Sequence, residues 1–386
     1  MSGATPRVLL CVTVYNGRAF VPRCLESAVR LDPGTAHLDI LVLDDCSPEP
    51  GWSAELADLS AKLGVRYYRS PRNLGIPRNV SLGLLAAQAD EYDYVIISNS
   101  DVIYPRNLVP QMLKVVVQDA VGSVTAWSNN VSIYSLDNED PDTFLADQGV
   151  VDWLSATLAG RFGAAAMDIP AGISFCVMIP AHVIADVGVM DPVFGRGYCE
   201  ETDWSLRSLA AGYRIALAPG TFVYHSGRGS SIHAGLVSGD STSVPENEAI
   251  LDLRYPLFRG QVDAFASSGI FEQATDDAMR EIMRQGGKQF GYSIEVGWLP
   301  RQTADESFVR VLVSPDGREG KVELRFRGFI VDLEVPEFEV GQGIREFFDG
   351  AQPTQVNLLD RGPVADALQR AAGPLVTKRG NYPSRV

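Results

Sequence analysis

Asp93-Tyr94-Val95-Ile96-Ile97-Ser98-Asn99-Ser100-Asp101 is an apolar run that breaks off into small polar and acidic residues. Tyr94 to Ile97 is aromatic or β-branched and too short for a helix, so the stretch predicts a buried strand of a parallel sheet. In open α/β sheets the ligand crevice lies beyond the carboxyl ends of the strands. Asn99 and Asp101 are two apart, so their side chains can turn toward one site, where oxygen ligands suit a hard divalent cation. The competing reading is turn chemistry ahead of Pro105. The surrounding sequence decides between the two.

Upstream, Arg7 to Val14 reads as a buried strand, followed by Tyr15-Asn16-Gly17 and an amphipathic helix from about Ala19 to Leu31. A second strand, Leu38 to Leu43, runs into Asp44-Asp45-Cys46-Ser47-Pro48 and again places acids and a hydroxyl at a strand's carboxyl end. A helix from about Ser53 to Leu63 leads to strand Val65 to Tyr68, and Arg72-Asn73-Leu74-Gly75-Ile76-Pro77-Arg78-Asn79 precedes a helix to Gln88. The opening stretch is thus the fourth strand of a βα series, which predicts parallel pairing with right-handed crossovers. No Gly-x-Gly-x-x-Gly follows the first strand and no Gly-x-x-x-x-Gly-Lys-Ser/Thr occurs. Phosphate charge must then be met by other means, and a metal ion is the obvious substitute.

Downstream, Val121 to Trp127 reads as a strand, and Ser128 to Gln148 as an acidic loop carrying Asp137, Glu139, Asp140 and Asp142, with an acceptor-binding loop as the alternative. Pro170 to Ile179 predicts a strand whose early Gly172 permits close approach of backbone or ligand. Gly195 to Arg207 predicts a short helix with Glu200, Glu201 and Asp203 in its first turn, where the helix dipole favours negative charge, and with Asp203 and Arg207 as an i,i+4 pair. Ala216 to Pro219 and Thr221 to Tyr224 then read as two strands that deliver His225, one of only four histidines. Gly227 to Val244 has the Gly and Ser content of a lid or linker. Beyond it Pro245 to Gly287 reads as helical. Phe308 to Val313 and Lys321 to Val335 form a hairpin or meander with Val322, Leu324 and Phe326 inward and Pro315-Asp316-Gly317 as a turn, and two short helices lie near 344–348 and 364–372.

The 386 residues suffice for a full core plus a second, smaller domain. The expected division is an α/β domain over 1–232 and a helical then β-rich domain over 233–386, the latter a binding platform or a homodimer surface. A formal charge of -15 disfavours nucleic acid as a partner. The five cysteines, odd in number and without a CxxC pair, read as reduced core residues of a cytoplasmic protein. No apolar run approaches the roughly 18 residues of a membrane span, and no signal-like pattern opens the chain.

Thr13-Val14-Tyr15-Asn16, Leu43-Asp44-Asp45-Cys46-Ser47, Arg72-Asn73-Leu74-Gly75, Asn99-Ser100-Asp101, and Glu200-Glu201-Thr202-Asp203-Trp204-Ser205-Leu206-Arg207 followed by Ala211-Gly212-Tyr213-Arg214, Pro219 and His225 resemble, in order and spacing, the successive motifs of family 2 glycosyltransferases with the GT-A fold. Asn99-Ser100-Asp101 takes the place of that family's Asp-x-Asp, with Asn for the first Asp as in rhamnosyltransferase-like members that carry Asn-Asn-Asp; Asn still offers a carbonyl to a metal. The processive Gln-x-x-Arg-Trp motif is absent.

The resemblance, which runs from residue 7 to about 232, implies an α/β GT-A architecture, Rossmann-like with a mostly parallel central sheet and flanking helices, with a smaller C-terminal α+β extension outside it. It implies an inverting enzyme that moves one hexosyl or deoxyhexosyl unit from a nucleoside diphosphate sugar to an acceptor, with Mg²⁺ or Mn²⁺ as cofactor and UDP or dTDP expected ahead of GDP. Thr13, Tyr15, Asn16, Asp44, Asp45 and Arg78 would border the nucleoside, with Asp45 or its neighbour on the base and Asn99 and Ser100 toward the diphosphate. Asn99, Asp101 and His225 would hold the metal. Glu201 would be the general base, ionised near neutrality by the helix dipole. The rival readings are a catalytically silent nucleotide-sugar-binding module and a sugar-phosphate nucleotidyltransferase.

Overall fold

The computed structural model describes residues 5–131, 133–136, 145–227, 244–297, 308–314, 321–334, 340–372 and 376–379. The acidic residues Asp137 to Asp142, the expected lid beyond Gly227 and the Pro315-Asp316-Gly317 turn lie outside them. The chain divides into two compact units, one of residues 1–136 and 145–272 and the other of 137–144 and 273–386. The division falls beyond the expected 232 because Asn247, Arg254 and Tyr255 bond the helical segment 245–267 into the first unit.

The first unit is built on β1 (Arg7–Val14), α1 (Val21–Ala28), β2 (His37–Asp44), α2 (Trp52–Leu63), β3 (Arg66–Arg69), α3 (Ile76–Ala89), β4 (Tyr94–Asn99), β5 (Val102–Ile103), α4 (Leu108–Val116) and β6 (Val121–Trp127). It continues through α5 (Gln148–Phe162), β7 (Met167–Asp168), β8 (Cys176–Pro180), α6 (Ala181–Val187), α7 (Glu200–Ala210), β9 (Arg214–Phe222) and β10 (Tyr224–His225). Helices α8 (Pro245–Arg254) and α9 (Phe258–Ser267) close it.

Eight strands form one sheet in the order β3-β2-β1-β4-β8-β6-β9-β7. The expected βα series is there: β1 pairs in parallel with both β2 and β4, and β2 with β3. A sheet covered on both faces needs strands that are apolar throughout. Residues 8–12 of β1 are accordingly 0% exposed without alternation, each full burial of a large aliphatic side chain worth about 1.5–3 kcal/mol. Helix α3 lies close on this sheet because Gly83 faces Cys11 and Ile97; a Cβ there would sit 3.0 Å from Cys11 Sγ and from Ile97 Cδ1. Helix α2 stops at Gly64, whose φ of 72° and backbone N–H bonds to Ser60 and Ala61 make a left-handed C-cap.

Two expected strands differ from those observed. Pro170 to Phe175 is loop and only Cys176–Pro180 is strand, because Gly172 N is drawn to Ser205 Oγ at 3.1 Å and Ile173 N to Thr125 Oγ1 at 3.3 Å instead of to a neighbouring strand. Strand β8 runs antiparallel between β4 and β6. Ala216 to Tyr224 is not two strands of one kind but β9 continued to Phe222, its register against β6 slipping between Ala218 and Phe222 at Pro219-Gly220, then the separate β10.

The second unit carries a six-stranded sheet, with Tyr292–Val296 central and parallel to Val309–Val313 and to Gln355–Leu358. The expected meander is present as Val309–Val313, Lys321–Phe326 and Phe329–Glu334, successive and antiparallel, with Val322, Leu324 and Phe326 buried. Ala278, Met279, Ile282 and Met283 of the helix Ile270–Phe290 are buried at helical spacing, and Tyr292 stacks on Phe348 with ring centroids 4.1 Å apart. Among the described residues no helix is long and apolar enough to cross a membrane.

Candidate active site

The sheet order β3-β2-β1-β4 makes the carboxyl ends of β1 and β4 a topological switch point, where crossovers leave in opposite directions and a crevice opens. Thr13 and Asn99 are register partners at that point, and Thr13 Oγ1 donates to Ser98 O at 3.1 Å. A cavity of ≈ 320 Å³ opens there. Of the residues expected in the site, Thr13, Tyr15, Asp45, Asn99, Ser100, Asp101, Glu201 and His225 line it, and Asn16, Asp44 and Arg78 do not.

His225 reaches Asp101 through a second, two-stranded sheet: β10 pairs antiparallel with β5, Val102 opposite His225, and Ser226 N donates to Asp101 O at 2.8 Å. The imidazole is oriented by Nδ1, which donates to the Asn130 carbonyl at 2.7 Å. Nε2 then faces Asp101 Oδ1 at 3.2 Å and the Asn99 amide at 3.3 Å. With the Nδ1 proton committed, a neutral ring would set its Nε2 lone pair against those of a carboxylate. Such an arrangement calls for a proton or a cation between the two. Burial opposes charge on His225, yet Asp101 beside it, by charge and hydrogen bond, and the Asn130 carbonyl raise its pKa overall. The donor set of a carboxylate, an imidazole and a carboxamide, whose oxygen and nitrogen exchange places by a flip, fits a divalent ion. Among the described residues no three His, Cys, Asp or Glu side chains cluster so as to hold a metal ion; the third side chain here is Asn99.

Glu200 and Glu201 line the cavity from the first turn of α7, which starts without a side-chain cap: Cys199 at the N-cap has φ 74° and Tyr198 before it 72°. Left-handed backbone at two consecutive non-glycine residues costs on the order of 1–3 kcal/mol apiece and is kept only where the surroundings enforce it. Here the turn is wedged against the start of α3. Ile76 N donates to Arg196 O at 3.0 Å, and Gly75, at φ 81°, passes so near Gly195 that a Cβ would stand 2.5 Å from its carbonyl oxygen. The two carboxyls do not behave as ordinary helix-start acids. Burial, then the charge and hydrogen bonding of Glu201, push Glu200 well above the carboxylate range. Burial also raises Glu201, against the lowering effect of backbone and Glu200 hydrogen bonds. Burial thus works against the helix dipole on which the expectation of an ionised Glu201 relied, and raises both members of the pair. Glu200 Oε2 and Glu201 Oε2 are both buried without a hydrogen-bond partner.

Asp203, by contrast, is a structural acid. It is fully buried and accepts from Arg207 Nε at 2.9 Å, as the i,i+4 spacing implied, and also from Arg254 Nη1 at 2.8 Å and Tyr255 OH at 3.0 Å. Asp44 is structural too: 0% exposed, it accepts from Ser47 N and Oγ, Ser53 Oγ and Tyr67 OH at 2.6–2.9 Å, so its lone pairs face inward. Asp45 lines the cavity, but its two oxygens accept from Leu74 N at 2.7 Å and Gly75 N at 2.9 Å, which fixes the loop before α3. Burial leads in raising the Asp45 pKa, against those two bonds. Arg78 is exposed and reaches back to the Leu74 carbonyl at 3.4 Å, and Asn16, at φ 60°, braces the Ser47 to Trp52 turn.

The structure adds Asn79, Asn130, Phe175 and Tyr198 to the cavity wall. Asn79 is visible in the sequence as the end of the Arg72 to Asn79 stretch; its Nδ2 donates to Leu43 O at 3.1 Å while Oδ1 is buried without a partner. Asn130 and Tyr198 carry no local signal, since one belongs to a polar loop and the other owes its place to a left-handed turn.

Residues 9–164 match the family model described as Glycosyl transferase family 2. That stretch is similar to family 2 glycosyltransferases, and Thr13, Tyr15, Asp45, Asn99, Ser100 and Asp101 of the cavity wall lie inside it. The rhamnosyltransferase-like subtype gains no support from the match, which ends before Glu200. No curated protein matches the chain. Two of the similar solved structures are a mannosyltransferase from Pyrobaculum calidifontis in complex with GDP-Man and Mn²⁺ (14% identity, 72% of this chain and 76% of that one, TM-score 0.44) and GalNAc-T7 with UDP, GalNAc and Mn²⁺ (13% identity, 85% and 67%, TM-score 0.48). At those scores neither likeness carries weight on residue roles.

Proposed function

We propose that this glycosyltransferase moves a single sugar from a nucleoside diphosphate sugar to an acceptor with inversion, and that it depends on Mg²⁺ or Mn²⁺. The observation that carries the reading is one cavity at the β1 and β4 carboxyl ends that holds both the Asp101 and His225 pair, with two acceptors facing each other at 3.2 Å, and Glu201. A divalent ion held by Asp101, His225 and the Asn99 amide oxygen would offset the charge that develops on the departing diphosphate. Thr13, Tyr15, Asp45 and Asn79 border the nucleoside. Glu201 takes the proton from the acceptor nucleophile as that atom forms its bond to the anomeric carbon, and the bond to the diphosphate oxygen breaks with its electron pair going to the leaving group. Burial, which raises the Glu200 pKa, works against a second negative charge beside the base. The missing Gln-x-x-Arg-Trp motif supports a single transfer.

The test is calorimetric titration of UDP, dTDP and GDP with and without Mn²⁺, then turnover of the corresponding sugar donors and NMR assignment of the product anomer. Metal-dependent tightening for UDP or dTDP and an inverted product are expected. Affinities indifferent to metal, or retained configuration, would overturn the reading.

A further inference from the structure

Helix α8 lies beyond both the family match and the resembling motifs, yet one of its side chains is tied to the wall of the cavity. Asn247 is 7% exposed, and its single amide group donates to three carbonyls of the turn that precedes α7: Phe194 at 3.0 Å, Gly197 at 2.7 Å and Tyr198 at 2.9 Å. That turn is the strained one, with φ 63° at Gly195, 141° at Gly197, 72° at Tyr198 and 74° at Cys199. Locally it has backbone bonds from Gly195 N to Pro192 O at 3.2 Å and from Gly197 N to Phe194 O at 3.1 Å, but α7 has no side-chain cap. At the other end of α8, Arg254 and Tyr255 take hold of Asp203. The turn is thus gripped on one side by α8 and on the other by the loop at Gly75 and Ile76, which Asp45 in turn fixes. A polar donor rather than a hydrophobic residue suits 247 because the Gly197 and Tyr198 carbonyls converge there with that of Phe194, which also accepts from Gly197 N at 3.1 Å, and buried acceptors call for donors.

We propose that Asn247 is a positioning residue of the reaction: by gathering the carbonyls of Phe194, Gly197 and Tyr198 it sets the register at which α7 begins, and so aims Glu201 and Tyr198 into the cavity. The proposal rests on the assignment of Glu201 as base. It makes the segment after His225 part of the catalytic apparatus, not an appendage to it. A Cα displacement at the start of α7 moves the base relative to the acceptor atom while leaving the Asp101 and His225 pair, which stands on other strands, where it was.

The experiment uses the full chain with Asn247→Ala and, in case the first variant folds poorly, the near-isosteric Asn247→Asp, which sets a carboxylate against the same carbonyls. Hydrogen exchange over residues 194–201 should quicken in both variants, with exchange over β1 and β4 unchanged. With Mn²⁺ and whichever of UDP-, dTDP- or GDP-hexose is turned over, kcat should fall at least about tenfold while the affinity for the nucleoside diphosphate stays within about twofold. Placed on Glu201→Gln, the Asn247 substitution should add little further loss, because a positioned base that is already absent cannot be misaimed. Exchange at 194–201 that does not change overturns the proposal whatever the activity. So does a loss that multiplies in full with that of Glu201→Gln, the mark of general destabilisation. Near-normal turnover of Glu201→Gln by itself would instead defeat the base assignment, a separate result that leaves the exchange readout standing.

Discussion

His225 Nε2 stands 3.2 Å from Asp101 Oδ1, and the ring cannot turn away because Nδ1 is committed to the Asn130 carbonyl at 2.7 Å. Two acceptors fixed face to face are where the proposed cation would sit. Asp101→Ala and His225→Ala should each weaken Mn²⁺-dependent binding of the cognate nucleoside diphosphate by at least about tenfold, with metal-free affinity little changed. Asn99→Asp, which adds a carboxylate, should tighten the metal. Calorimetry with and without Mn²⁺ checks all three, and metal-dependent affinity that survives Asp101→Ala would remove it as a ligand.

Glu201→Gln keeps the shape of the side chain and removes its basicity. Transfer should drop by about 10² to 10⁴ with nucleotide and metal binding nearly intact. The comparison is between single-turnover rate and calorimetric affinity; a fall in both together would place Glu201 in donor binding.

Burial raises Glu201, so the ionised form needed for proton removal accumulates only above the pH at which an ordinary glutamate has titrated. The acid limb of kcat/KM should accordingly lie above the usual carboxylate range. A limb at or below that range would show the pair to be solvated in the working enzyme.

Glu200 gives a linked stability effect. Its folded-state pKa is raised above the unfolded value, so the native state binds more protons in that window, and stability is lost as pH rises from the unfolded toward the folded pKa. Glu200→Gln abolishes the titration. Its melting temperature relative to the parent chain should therefore climb with pH above the ordinary glutamate range, and differential scanning calorimetry at a series of pH values reads this directly.

Asp203→Asn should harm stability more than chemistry. The carboxylate is fully buried, but its Arg207 and Arg254 partners are 29% and 36% exposed, so the loss should be about 2–3 kcal/mol, short of the figure for a fully buried pair. Denaturant unfolding measures it, and activity per folded molecule should change little.

Much of the fold is legible in the sequence for a physical reason: strands buried on both faces are spelled as continuous apolar runs, and the polar residues just past the end of each run border the crevice. Arg7 to Val14 and Val121 to Trp127 are readable to the residue, and the places of Asn99 and Asp101 come with the strand that delivers them. Asp44 and Asp45 are not separable. Adjacent residues of a strand end face opposite ways, and which of them meets Ser47, Ser53 and Tyr67 depends on a loop and a neighbouring strand. The ionisation of Glu201 escapes the sequence because helix position is local whereas desolvation is set by everything packed around it. The grip of Asn247 leaves no trace there, since a polar residue in the first turn of an acidic helix looks like any other.

The short antiparallel pairing of β5 with β10 bears on how the molecule is made. Strands β1 to β4 are joined by local crossovers and can assemble early, but His225 meets Asp101 only after the chain between them has closed a long loop, an entropically slow event. The proposed cation site would therefore be completed late. In refolding, recovery of Mn²⁺-dependent nucleotide binding should lag behind the first recovery of secondary structure, so that a partly synthesised or partly folded chain carries β1 to β4 and yet turns over no sugar.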